Sequence, residues 1–281
     1  MYLAKVGVAA LIATSGIAVL NEPAVQEPTI QTARIGIVQA DTNTYIKLPA
    51  GYTKARILKV NNNKLSASQK KALIKSCMQG MAENTFYGDE ADKSRIVDVT
   101  KLSPSQKEEI SKYTLSLINS ARHQMGKRSW TYRKGAVTFA DKIAQEYYND
   151  NMSCWQPYHD VAGIERAAKK LGLNYRAGQV YEDESGLPIT SEWSGSTRSM
   201  YALKKQIYFN VKQMLFGGFY GTKADYQNAS RYTEWEHAGD LLGLRSMRGY
   251  DAKTKYFGVS FSVLPDDQNK VSVHMIGVAK R

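Results

Sequence analysis

Hydrophobic residues recur at three- and four-residue spacing in five stretches of the chain, the period of an amphipathic helix. The first opens at Ser66-Ala67-Ser68-Gln69, a capping-box pattern, and continues through Leu73, Ile74, Cys77, Met78 and Met81. A second box, Ser103-Pro104-Ser105-Gln106, places proline where a helix lacks a bonded N–H anyway. The helix it opens buries Ile110, Tyr113, Leu117, Ile118 and Ala121 and stops at Gly126. Residues 134–150 follow with Val137, Ala140, Ile143, Ala144 and Tyr147 inward. Residues 160–171 and 198–216 complete the set, the last on Leu203, Ile207, Val211, Met214 and Leu215.

The pattern changes near the C-terminus. Residues 256–263 and 271–278 read as strands, and Pro265-Asp266-Asp267-Gln268-Asn269 between them reads as a hairpin loop. Residues 41–65 are expected to be extended and irregular, with a turn at Pro49-Ala50-Gly51, and residues 84–102 to be loop. Helices followed by a closing antiparallel hairpin predict an α+β fold.

Residues 6–20 are uncharged and follow Lys5. The run is shorter than the roughly 20 apolar residues of a membrane span. Its place at the N-terminus favours the core of a signal peptide over a buried helix. Cleavage after Val38-Gln39-Ala40, or earlier near Ala18, would end the leader. The division expected is a leader over 1–40, an extended and helical segment over 41–102, and the main domain over 103–281. No L-P-x-T-G-like motif or apolar tail follows Val278, so the processed chain is expected to be secreted or wall-associated, with no stable transmembrane segment.

Composition adds a sign to this picture. The net charge is +12 over 281 residues, with the longest basic runs only two residues long. No nucleic-acid-binding module is evident, so anionic cell-envelope polymers or a surface protein are the expected partners. Cys77 and Cys154 are the only cysteines, without a C-x-x-C pair. They read either as two small hydrophobes or, after export, as one disulfide.

The chemistry available is narrow. G-x-S-x-G, H-E-x-x-H, Walker A and G-x-G-x-x-G patterns are absent. Of the four histidines, His123 reads as a solvated helix end and His274 as a packed, hydrogen-bonded strand residue. His159 and His237 stand at loop-to-helix transitions, where sites concentrate. Acids cluster at Glu182-Asp183-Glu184 and at Glu234 and Glu236. Imidazoles with carboxylates could hold a divalent cation or order loops as a polar cluster.

Several segments, taken in order, resemble one family. LINSARHQMG, AQEYYNDN and HDVAGIERAAKKLGL are similar to the opening of a CAP (SCP/PR-1-like) domain. VYEDESG, YTEWEHAGDLLG, YFGVSFSVL and VSVHMIGV resemble its later segments. DTNTYIKLPAGYTKARIL and KLSPSQKEEISKYTLSLIN look like the surface-exclusion type. The resemblance implies a CAP-like α-β-α sandwich with an N-terminal helical and extended segment. It also implies a cleft of two histidines and two glutamates. His159, Glu182 and His237 match three of these; Glu236, with Glu234 beside it, is the local candidate for the fourth. A zinc-like cation at His159 and His237 is implied, though no cofactor is required.

The incomplete fourth position favours a surface module that binds the envelope or modulates contact, without catalysis. The alternatives are a CAP-type, protease-like hydrolase and a wall- or lipid-ligand-binding protein. Trp235 is expected to be buried, anchoring the loop before His237.

Overall fold

The computed structural model describes residues 42–156, 158–187, 195–217, 223–245 and 253–279; the expected leader and its cleavage point lie outside them. Seven α-helices are described: α1 Lys54–Asn61, α2 Ala67–Glu83, α3 Pro104–Gln124, α4 Lys134–Asn149, α5 Val161–Lys170, α6 Met200–Phe216 and α7 Glu236–Leu242. The strands are β1 Ile96–Asp98, β2 Thr131–Tyr132, β3 Glu182–Leu187, β4 Thr197–Ser199, β5 Tyr256–Val263 and β6 Val271–Val278.

Both capping boxes form as the sequence predicts. Ser66 accepts from the Gln69 N–H while the Gln69 side chain returns to Ser66, and Ser103 and Gln106 do the same ahead of α3. Two expectations are corrected. The stretch expected to be extended contains α1, capped by Thr53 and burying only Ile57. The stretch expected to be loop contains β1, which pairs with β4 in a separate two-stranded sheet.

The main sheet has the order β2-β5-β6-β3, with β2 parallel to β5 and the other pairs antiparallel. Alternation along β5 and β6 gives the sheet two faces. Phe257, Val259, Phe261, Val263, Val271, Val273 and Met275 join a core with α2, α3, α6 and α7. Ile276 and Val278 join a second core with Phe139, Ile143 and Tyr147 of α4 and Ile164 of α5. Helices thus cover both faces, giving an α-β-α sandwich.

The α4 side of the sheet is unusually small and polar, presenting Gly258, Ser260, Ser262, Ser272 and His274. Small size lets α4 come close: a Cβ on Gly258 would lie 2.4 Å from the Val137 backbone nitrogen. Polarity makes room for a buried network.

Residues 42–102 share the large core. Ile46, Ile57, Leu73, Cys77 and Met81 pack with α6 residues such as Leu203, Val211 and Phe216. Lys212 of α6 is buried and donates to the Met81 and Asn84 carbonyls at 2.9 and 2.7 Å. Lys204, one face round, reaches Asp92 at 2.7 Å. Buried ammonium groups need such partners, because an unpaired charge in the core is costly. Both cysteines are free thiols. Cys77 lies under Trp235, whose indole N–H points at its sulfur 3.4 Å away. Trp235 is 2% exposed.

Candidate functional site

The polar network begins on β3. Residue alternation sends Glu182 and Glu184 towards α4 and Asp183 to the opposite side. Register places Glu184 across from His274 of β6. His274 is fully buried and bridges two groups: Nδ1 lies 2.6 Å from Glu182 Oε1, and Nε2 lies 2.8 Å from Ser262 Oγ. With Nδ1 donating to the carboxylate, Nε2 accepts from the serine hydroxyl.

The second oxygen of Glu182 is engaged as well. It is 2.8 Å from His159 Nδ1 and accepts from the Tyr147 hydroxyl at 2.6 Å. Tyr147 comes from α4, its ring 4.6 Å from that of His274. Its oxygen also accepts the Asp160 backbone N–H at 3.0 Å, fixing the loop that carries His159. Asp160 then caps α5 by accepting from the Gly163 N–H at 2.8 Å. His159 is therefore positioned from both sides, by its own helix cap and by the sheet.

Asp183, on the other side of the strand, takes His237 Nδ1 at 2.9 Å. His237 is carried at the first turn of α7, and its ring is 6.5 Å from that of His159. The two histidines thus meet around the first residues of β3. Of the four residues singled out in the sequence, His159, Glu182 and His237 come together. Glu236 does not. Its side chain is 61% exposed and pairs with Arg245 at 2.5 Å. One residue before His237 on a helix, it points roughly 100° away around the axis. Glu234 accepts the Glu236 backbone N–H at 2.6 Å, closing the turn ahead of α7.

Electrostatics separate the carboxyl groups. Burial opposes ionisation of Glu182, but the hydrogen bonds to His159 and His274 outweigh it and hold the carboxyl at about 2. Burial and the neighbouring Glu182 charge push Glu184 up to about 7. Burial works against protonation of His237, yet the Asp183 hydrogen bond and charge raise it to about 9. His159 is raised too: burial disfavours its charge, and the Glu182 hydrogen bond reverses that. Asp240 of α7 is lifted to about 7 by burial and by the Asp183 charge.

A cation would find a different ligand set from the His159 and His237 pair expected from the sequence. Nδ1 or Nε2 of His159 and one oxygen each from Glu182 and Glu184 lie within 4.8 Å of one another. Glu184 Oε1 is buried without a hydrogen-bond partner, so it has a lone pair to give. One nitrogen with two oxygens suits zinc. His237, turned onto Asp183, is outside that set.

Sequence reasoning missed Tyr147 and His274, since each sits in a periodic apolar element and reads as core. The only signal was the Ser-rich alternate positions of β5 and β6, which leave a polar face for a buried histidine to use.

In the solved structure described as the CAP domain of Enterococcal PrgA, the same fold recurs. The TM-score is 0.61 at 25% identity, covering 85% of this chain and 87% of that one. No protein-family model matches the chain, and no curated protein matches it. The chain therefore has the α+β fold of a CAP domain.

Proposed function

We propose that this CAP-like chain is an exported cell-surface protein of the surface-exclusion type, and that it binds or modulates contact with an envelope rather than turning over a substrate. The carrying observation is the saturation of Glu182. A general acid or base must reach the proton it moves. Glu182 is instead fully buried, with both oxygens held by His274, His159 and Tyr147. His237 is committed to Asp183, and Glu236 to Arg245. The network's effect is to fix the loops leading into α5 and α7. Rigid loops on a packed scaffold are suited to recognition. Zinc at His159, Glu182 and Glu184 would tighten the same loops.

The positive charge supports an anionic envelope as partner, and no described helix is long and apolar enough to cross a membrane. The test is to display the full chain on donor cells and count donor–recipient contacts. Contacts should fall, and Glu184→Gln or His237→Asn should leave the effect intact while purified protein hydrolyses no peptide substrate. Peptide hydrolysis by the wild type that Glu184→Gln or His237→Asn abolishes in a folded protein would hand the site to the hydrolase reading.

A further inference from the structure

The charge that reads as scattered short runs is concentrated when the helices are considered together. Residues 42–82 hold eight Lys and Arg and no Asp or Glu, in a chain whose net charge is +12. Six of the eight, Lys54, Lys59, Lys64, Lys70, Lys71 and Lys75, stand on α1, α2 and the link between them. All six are exposed. Several lysines elsewhere are matched: Lys107 sits on Asp141, Lys112 on Glu108, Lys170 on Glu146 and Lys204 on Asp92. Among the described residues none of the six has an ion-pair partner; Lys70 lies over the Trp235 ring at 5.8 Å. No Asp or Glu lies within residues 42–82 to oppose these six cations along the chain.

The same helix carries a shallow groove of about 620 Å3. Lys70, Lys71 and Lys75 rim it, and Ala72, Ile74 and Met78 form its walls. Its occupant must therefore offer anions to the rim and a small carbon skeleton to the walls. An interfacial membrane helix presents Trp, Phe or Leu outward; the outward residues here are Lys and Ala, with Ile74 and Met78 only partly exposed. Single-stranded nucleic acid is gripped by aromatic platforms, and neither KARILKVN nor ASQKKALIKSCMQGMAE contains an aromatic residue. Protein partners dock on Trp, Tyr and Arg anchors, which the groove also lacks.

We infer that the α1–α2 face is a binding site for a phosphodiester-linked alditol polymer. Phosphates pair with Lys70, Lys71 and Lys75, and the alditol carbons lie along Ala72, Ile74 and Met78. The inference rests on the envelope-binding reading above and gives it an address.

The test uses the full processed chain and deacylated poly(glycerol phosphate) as probe, at low salt. The wild type binds. Lys70→Gln, Lys71→Gln and Lys75→Gln together should weaken binding about tenfold, because phosphate contacts carry most of such affinity. A control triple, Lys134→Gln, Lys169→Gln and Lys205→Gln, removes the same charge from exposed positions elsewhere and should bind nearly as well as the wild type. Equal loss in both triples overturns the local site and leaves a diffuse charge effect, with envelope binding surviving. Failure of the wild type to bind both this polymer and isolated walls overturns the envelope reading itself. Retention on anionic vesicles or on duplex DNA, but not on the polymer, overturns the choice of occupant. Circular dichroism of each variant establishes that it is folded.

Discussion

The Glu184 carboxyl shares one oxygen with Tyr147 and has its other oxygen buried and unbonded. Raised from 4.5 to about 7, it is held protonated by the folded state where the unfolded chain would ionise. Stability should therefore fall as pH rises through that interval and level off above it. Glu184→Gln, neutral at every pH, should be more stable than wild type at pH 8 by about 1–3 kcal/mol and nearly equal to it at pH 4. Urea midpoints at the two pH values check this, and a difference independent of pH would sink it. Zinc acts in the opposite sense: it binds the native state and should raise the wild-type melting temperature at pH 7.5 more than that of Glu184→Gln. Equal shifts would put the ion elsewhere. His237 has the opposite kind of charge. With its pKa raised from 6.5 to about 9 by Asp183, its contribution is complete below pH 6.5 and lost as pH climbs through 9. The stability gap between wild type and His237→Asn should close over that range, from at most about 3 kcal/mol. At this scale the sequence revealed His159, Glu182 and His237 through their place in ordered segments. It hid Tyr147, which falls on the apolar period of its helix, and His274, which lies between Val273 and Met275; their partner Glu182 is 35 and 92 residues away.

Elements were legible where local chemistry and burial agreed. The boxes at Ser66 and Ser103 mark the starts of α2 and α3 because they satisfy otherwise orphaned N–H groups. The strands β5 and β6 stand out through β-branched and aromatic residues on the large-core face. β3 was not legible: EDESGL has few strand-forming residues, and pairing with β6 along its whole length imposes the conformation. α1 was hidden for a related reason, since an eight-residue helix burying a single side chain has almost no period to read. The packing of α4 on β5 gives a direct test at this scale. Gly258→Ala would bring a Cβ to 2.4 Å from the Val137 backbone nitrogen. Backbone cannot rotate aside as a side chain can, so α4 must lift from the sheet. Overpacking of this kind costs about 1–3 kcal/mol, and because α4 holds Tyr147 against Glu182, the zinc response should weaken with it. An unchanged urea midpoint would show that α4 does not rest on this glycine.

For the molecule as a whole, sign and placement of charge make different predictions. The overall α+β class was readable because the periodic elements supply most of the core, whereas helices on both faces came only from the resemblance to CAP domains. The inclusion of residues 42–102 in that same core was not readable, since it rests on contacts distant in sequence: Ile57, Leu73 and Met81 against Leu203, Val211 and Phe216, with Lys212 reaching the Met81 and Asn84 carbonyls. The charge has a consequence for the whole particle. Residues 1–40 contain Lys5 and Arg34 against Glu22 and Glu27, so loss of an expected leader leaves the net charge at +12. Exposed charges act over a Debye length of roughly 8 Å at physiological salt and about 3 Å at 1 M. A protein held on a wall by unpaired surface lysines should elute as salt rises through that interval. One held by a shaped apolar pocket should resist, because burial of apolar surface is not screened. Isolated bacterial cell walls loaded with the full processed chain and washed at stepwise salt distinguish the two. Elution is expected below 1 M, with the Lys70, Lys71 and Lys75 triple variant eluting at lower salt than the wild type. Binding indifferent to salt would shift the reading to a pocket-held wall or lipid ligand. Lack of retention at the lowest salt would leave the lysines with only the task of keeping the protein soluble.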